Sequence, residues 1–363
     1  FTIDHVPNRF LPFGLPVLMR KRFIRKPLTW LADIVLPQTK GDQLSRLASF
    51  IESTYQKTQK ELLEILASFY PEETAFVILP MDMEFQEAGK LKANLEQQLQ
   101  DIVTLRQDPE WTNRILPFVP VDPRRPKLMD LVKRHIEDHD FRGIKMYPPL
   151  GFWACDPKLD EVYEYCQQNG LPITSHCSRG GVYYKGKLKP GHDLLVHPIS
   201  GVKFKPEKNE DFTERLCDPD QFEFALQKFP NLKLNLAHFG GSSDWDRYLK
   251  APYRQNDPNH NPSGVNANWV HKIKSLISNE NYPNVYTDIS YTLHEERFIP
   301  LLKLFLLNPK LRSHVLFGTD FYMLERDVAE REIAVKFRFW IGETDFKQLA
   351  VDNNHAFLGI GSS

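Results

Sequence analysis

The sequence predicts an α/β chain closed into a (β/α)8 TIM barrel, and three observations predict it. Short apolar runs of strand length alternate with segments of helical periodicity along most of the chain. Such alternation favours a parallel sheet, because each parallel strand is reached by a crossover that a helix fills. Four of the runs also end in a residue type that can bind or bridge a metal. They are 171–177 (LPITSHC) with His176, 232–240 (LKLNLAHFG) with His238, 314–321 (HVLFGTDF) with Asp320, and 141–148 (FRGIKMYP) with Lys145. A barrel gathers the C-terminal ends of its strands at one mouth, where such residues would meet. The third observation is length: 363 residues suit one barrel with insertions, read as a single domain over 1–363. An open doubly wound sheet is the alternative, but no Gly-rich dinucleotide fingerprint follows an early strand.

Taken in order, residues 1–16 are broken by Pro7, Pro12 and Pro16 and read as loop. The opening, FTIDHVPNRFLPFGLP, has no secretory pattern and reads as the tail of a strand. The first barrel strand is therefore expected at or just before Phe1. Residues 19–26 (MRKRFIRK) read as a solvated helix face. Helical spacing over 43–69 precedes a buried strand at 74–80 (TAFVILP), then a helix over 87–106 and a strand at 115–121 (ILPFVPV) that stops at DPRRP. A helix over 127–138 leads into the Lys145 strand. A second helix, over 156–168, has Asp156 as N-cap, Pro157 inside the first turn and Gly170 past the end. Long loops follow the fifth and sixth strands, at 178–218 and 240–266; loops of that length are commonly lids or otherwise functional. Helices are expected at 218–229, 268–278, 295–307, 326–339 and 345–357, with one more strand at 284–290 (NVYTDIS).

Composition narrows the function. A net charge of −1 and a pI near 6.9 provide no field for nucleic acid or an anionic membrane. No apolar run reaches membrane-spanning length. The four cysteines, Cys155, Cys166, Cys177 and Cys217, show no CxxC spacing and fit reduced thiols in a cytoplasmic enzyme. A small-molecule substrate is the expected partner, and a homo-oligomer is open.

Imidazole and carboxylate suit a divalent first-row metal, zinc being the usual choice at a hydrolytic site. A lone histidine is more often a hydrogen-bonded structural residue than a ligand; His176, His238 and Asp320 at three strand ends shift that balance. Lys145 is a site residue that either bridges metals or pairs with a carboxylate in the core. Arg179, three residues past His176, is placed to meet a substrate carboxylate, or to form an ion pair within its own loop. Tyr147, Phe152, Trp153, Tyr183 and Tyr184 can line a pocket or simply pack. Asp288 can orient a ligand or cap a helix. His135 and His139 share one helix face but lack the Glu of an HExxH motif, and read as solvated. His192 and His197 have no strand-end setting, and Cys177 reads as a packing residue.

The motifs TSHC, LAHFGG and LFGTDF, following GIKMYPP, resemble the amidohydrolase superfamily of metal-dependent barrels. The likeness is nearest to its branch of amidohydrolase-related proteins and aminocarboxymuconate-semialdehyde-type decarboxylases, and it runs to about Asn354. The resemblance implies His176 and His238 as the histidines of the fifth and sixth strands. It implies Asp320 as the carboxylate ending the eighth, beside metal and catalytic water, where it shuttles a proton. His238 or His176 would also hold the developing oxyanion, and Lys145 occupies the place where binuclear members carry a carboxylated lysine. The family's first strand carries an HxH pair; none occurs in these residues, and it is expected upstream of Phe1. The implied activity is hydrolysis of a C–N or C–O bond in a small polar substrate through a metal-activated water, with one or two divalent metals, zinc first. The alternatives are nonoxidative decarboxylation of a small carboxylic acid and a barrel that has lost its metal and acts as a binder.

Overall fold

The computed structural model describes residues 58–209, 211–250 and 268–361. Seven strands run in chain order through one sheet: β1 Phe76–Ile78, β2 Ile115–Val121, β3 Gly143–Met146, β4 Pro172–Ser178, β5 Lys233–Gly240, β6 Val285–Asp288 and β7 Val315–Leu316. Every neighbouring pair is parallel. The helices between them are α1 Gln59–Ala67, α2 Leu95–Gln107, α3 Leu128–Lys133, α4 Asp160–Asn169, α5 Asp211–Leu216, α6 Pro219–Lys228, α7 Ser242–Lys250, α8 Trp269–Ser278, α9 Ile299–Phe305, α10 Pro309–Arg312, α11 Glu330–Ile341, α12 Glu343–Lys347 and α13 Asn353–Leu358. The architecture is an incomplete (β/α)8 barrel, and the strands carrying His176 and His238 are β4 and β5.

The two-residue period of the strands sorts their side chains. Ile144, Met146, Ile173, Cys177, Leu234, Leu236 and Val285 face the helices and join Leu99, Ile102, Val132, Val162, Phe222 and Ile273 in the main core. Each fully buried Leu, Ile or Phe stabilises the fold by about 1.5–3 kcal/mol. Phe118 of β2 meets Tyr286 of β6, Leu316 of β7 and Phe357 of α13 in a separate cluster. β2 and β6 are not adjacent in the sheet, so this meeting requires the sheet to curl. Gly143 is needed where it stands, since a Cβ there would lie 2.5 Å from the Pro172 carbonyl and 2.8 Å from the Phe118 ring.

Several expectations shift. The helix expected over 87–106 starts only at Leu95, because Asn94 caps it: its side chain accepts from the Gln97 amide while Gln97 accepts from the Asn94 amide. The loop expected from residue 240 turns helical at once, as α7. Residues 178–218 are not an open lid, since Tyr184, Leu194, Phe212 and Leu216 pack with Trp153 and Cys155 in a core of their own. β7 stops at Leu316, so Asp320 lies in the turn beyond the strand rather than at its end. The expected basic face at 19–26, the start of the 43–69 helix and residues 251–266 lie outside the described residues. Among the described residues, no helix is long and apolar enough to cross a membrane.

Candidate functional site

β4 carries His176 and β5 carries His238 to one point, where His176 Nδ1 lies 3.0 Å from His238 Nε2. The partners of the other two ring nitrogens assign the tautomers. His238 Nδ1 faces the Ser290 carbonyl at 3.1 Å, and a carbonyl only accepts, so Nδ1 holds the proton. The Ser290 hydroxyl, 2.9 Å from the same nitrogen, donates in turn to Asp288. His176 Nε2 faces the Gly180 carbonyl at 2.8 Å and is likewise a donor. Two lone pairs are thus left pointing at each other across 3.0 Å. A cation between them relieves that contact, as does the other His176 tautomer, in which Nε2 accepts from the Ser178 hydroxyl at 3.2 Å but then faces the Gly180 carbonyl with a lone pair. Burial, with His238 and Lys145 nearby, drives His176 well below the usual histidine range and disfavours the imidazolium. Two nitrogens each about 2.1 Å from a zinc ion stand about 3.0–3.4 Å apart at ordinary coordination angles. The pair therefore fits a divalent metal.

His238 is held in place from behind. Asp288 Oδ1 accepts from its backbone N–H at 3.0 Å, and the Thr292 hydroxyl donates to its carbonyl at 2.6 Å. Asp288 also accepts from the Ser290 amide at 3.0 Å and from Asn235 Nδ2 at 2.7 Å. Burial opposes its ionisation, but His238 and these donors outweigh burial and hold the carboxyl below its ordinary range. The sequence leaves Asp288 open between orienting a ligand or histidine and capping the helix that follows. Ser290 and Asn235 carry no sequence signal at all, because their role exists only once β5 and β6 are side by side.

Tyr147 stacks on His176, with ring centroids 4.3 Å apart, and its hydroxyl accepts from the Val182 amide at 3.1 Å. Gly181 permits this approach: its φ is +113°, and a Cβ there would fall 2.3 Å from the Tyr147 oxygen and 3.1 Å from the His176 ring. Lys145, on β3, is buried, and its ammonium has no hydrogen-bond or ion-pair partner among the described residues. Burial lowers its pKa while Asp320 and Asp288 pull the other way. Lys145 and Tyr147 line a narrow cleft with Asp82, Asp122, Leu150 and Phe152. Asp82 and Asp122 follow β1 and β2 and are paired with Arg125 and Arg124 of DPRRP, a use of that motif the sequence did not disclose.

Asp320 is reached by solvent, yet protein crowds it enough to raise its carboxyl pKa, against the pull of His238 and Lys145. It stands within electrostatic reach of His238, but no group of three or more ligating side chains is assembled among the described residues. Arg179 is engaged by Asp244 at 2.7 Å and Glu214 at 2.9 Å and lies over the Trp269 ring. Of the aromatics, Phe152 reaches the cleft, Trp153 and Tyr184 pack in the satellite core, and Tyr183 lies beside Lys185. His135 is not solvated as expected: it is buried against Phe141, because the helix widens into a π turn at Arg134–Asp138. His197 is also buried, donating to Gln221 Oε1 at 2.8 Å beside Cys155. Cys177 packs in the core as expected.

A sequence profile of a family described as amidohydrolase matches residues 84–360. No curated protein matches the chain. Among solved structures, it resembles an uncharacterized TIM-barrel protein from Bordetella bronchiseptica at 14% identity and a TM-score of 0.51, covering 95% of this chain and 92% of that one. It also resembles 4-oxalomesaconate hydratase from Rhodopseudomonas palustris (13% identity, TM-score 0.47, 91% and 85% covered). A third is dihydroorotase in complex with 5-fluoroorotic acid from Saccharomyces cerevisiae (15% identity, TM-score 0.44, 83% and 81% covered). At these identities the likeness is one of fold, and the Bordetella structure agrees with the barrel.

Proposed function

The chain belongs to the amidohydrolase family, and from that premise we propose that it is a metal-dependent hydrolase cleaving a C–N or C–O bond of a small polar organic molecule. The observation that carries the reading is the pair of imidazole lone pairs facing each other across 3.0 Å at the ends of β4 and β5. His176 Nδ1 and His238 Nε2 would hold the metal, zinc being the first choice for a nitrogen and carboxylate set, with Asp320 as a further ligand or base. When bound, such a metal supplies Lewis acidity, polarising the scissile carbonyl and making water more acidic.

The protein's own groups do the rest. Asp320 is open to solvent and has a raised pKa, which suits a carboxylate that takes a proton from the attacking water and returns it to the leaving group. Lys145 supplies positive potential beneath the site. Tyr147, fixed over His176, walls one side and limits the size of what enters. The Ser290 carbonyl keeps His238 in the tautomer whose Nε2 lone pair faces inward, and Asp288 holds both residues in place.

Metal content by plasma mass spectrometry, on protein purified without chelator, tests the proposal against His238→Ala. About one or two equivalents of zinc in the wild type, lost in the variant, is the expected result. A wild type that stays metal-free after zinc is added back overturns it.

A further inference from the structure

Behind Asp320 lies a buried carboxyl group that the reaction above does not use. Glu330, the first residue of α11, has no exposed surface. The Tyr70 hydroxyl donates to its Oε1 at 2.6 Å, and the Thr319 side chain lies close to both Glu330 and Tyr70. Its Oε2 has no partner. The backbone N–H of Glu330 donates to Glu325 Oε1 at 2.7 Å, which brings a second carboxylate alongside.

Tyr70 and its neighbour Phe69 belong to the connection between α1 and β1, yet they grip the turn after β7 on both sides of Asp320. Tyr70 reaches Thr319 through Glu330 and its own hydroxyl, while the Phe69 ring lies edge-on to Phe321 at 6.3 Å. Asp320 sits between these anchors with a φ of +66°, in the left-handed region that aspartate enters more readily than most residues but still at some cost. Nothing in β7 imposes it, since the strand ends at Leu316.

We propose that Glu330, with Tyr70 and Thr319, is a positioning clamp that holds the Thr319–Asp320 turn in its left-handed form and so aims the Asp320 carboxylate at the site. The inference rests on Asp320 acting in the centre proposed above. The clamp works through hydrogen bonds and not through charge. Three carboxyl groups, Asp320, Glu325 and Glu330, stand close together, and burial with those neighbours pushes Glu330 up to about 7. An amide at this position can accept from the same hydroxyls.

The test compares Glu330→Ala, Tyr70→Phe and Glu330→Gln with the wild type by two readouts. The first is amide hydrogen exchange on the chelator-treated protein, followed at Tyr291 and Leu324, whose N–H groups donate to the carbonyls of Thr319 and Asp320. The second is zinc affinity by chelator competition. Expected are exchange about fivefold faster at those amides in the Ala and Phe variants, and zinc binding about tenfold weaker. Glu330→Gln should stay within about twofold of wild type on both, with β4 amides unchanged throughout. Unchanged exchange in both the Ala and Phe variants overturns the clamp, as does a Gln variant no better than Ala. Tyr70→Phe removes a single oxygen and decides the matter should Glu330→Ala fail to fold. A wild type that takes up no zinc defeats the metal reading alone, while the exchange measurement still judges the clamp.

Discussion

Replacing Glu330 with glutamine should remove a specific part of the protein's pH dependence. The folded state holds this carboxyl at a pKa of about 7 because it is buried, while in the unfolded chain it returns to about 4.5. A raised carboxyl pKa means that the folded state binds the extra proton between those values. Its contribution is therefore complete below pH 4.5 and lost as pH rises through 7. Each pKa unit corresponds to about 1.4 kcal/mol, so the wild type should lose roughly 2–3 kcal/mol between pH 5 and pH 8 that Glu330→Gln does not lose. Urea unfolding of both proteins at the two pH values, with chelator present, measures the difference. Other titrating groups, His135 among them, are common to both chains and largely cancel. Equal slopes in the two proteins would show that Glu330 is ionised in the fold at neutral pH, and the reasoning about its burial would be wrong.

Two further substitutions separate site from scaffold. Gly181→Ala places a Cβ against the Tyr147 oxygen and the His176 ring in a backbone conformation that disfavours it; zinc affinity should fall at least about tenfold while the far-ultraviolet dichroism of the barrel is kept, and a zinc titration reads it. Arg179→Met strips an ion-pair partner from Asp244, which has no exposed surface. Arg247 and the Trp269 amide still hold the Asp244 carboxylate, so a loss of about 1–2 kcal/mol in urea unfolding is expected with zinc binding unchanged; full stability in that variant would instead free Arg179 for a substrate role.

The sheet was legible because its strands announce themselves as apolar runs. β2 spans the predicted 115–121 run, and β4 lies one residue from the predicted 171–177 run. β7 is shorter than the apolar run at 314–321 because FGTDF continues the run in sequence, whereas the chain leaves the sheet after Leu316 to bend through Thr319 and Asp320. α7 is hard to read from sequence because SSDWDRYLK is mostly polar; its few apolar side chains do share one helix face, and Trp245 anchors that face against Phe239 and Phe298. His135 is misread in sequence because a π turn rotates a side chain to a face that regular helical spacing assigns to solvent. Nothing in the sequence sets Glu330 apart from other acidic residues near a helix start, where carboxylates are common for electrostatic reasons. Its burial is created by Tyr70, which is 260 residues away along the chain.

The geometry at His238 shows why a site like this departs from the periodicity that otherwise shapes the sheet. In the parallel register His176 of β4 lies opposite Ala237 of β5, not His238. Leu234 and Leu236 face the helices and Asn235 faces the barrel interior, so strict alternation would send His238 outward, away from His176. The register instead shifts between His176 and Ser178, and His238 and Phe239 take φ values of +71° and +46°. That turn brings the imidazole back toward His176. Left-handed backbone at a non-glycine residue costs roughly 1–2 kcal/mol, which the Asp288 and Thr292 hydrogen bonds on either side of the His238 peptide offset. Asp320 shows the same construction with Thr319, Tyr70 and Glu330 in the supporting role. At each of these two positions, then, the chain bends at or beyond the end of a strand through a left-handed residue, and a buried polar group from a neighbouring element fixes where the side chain points.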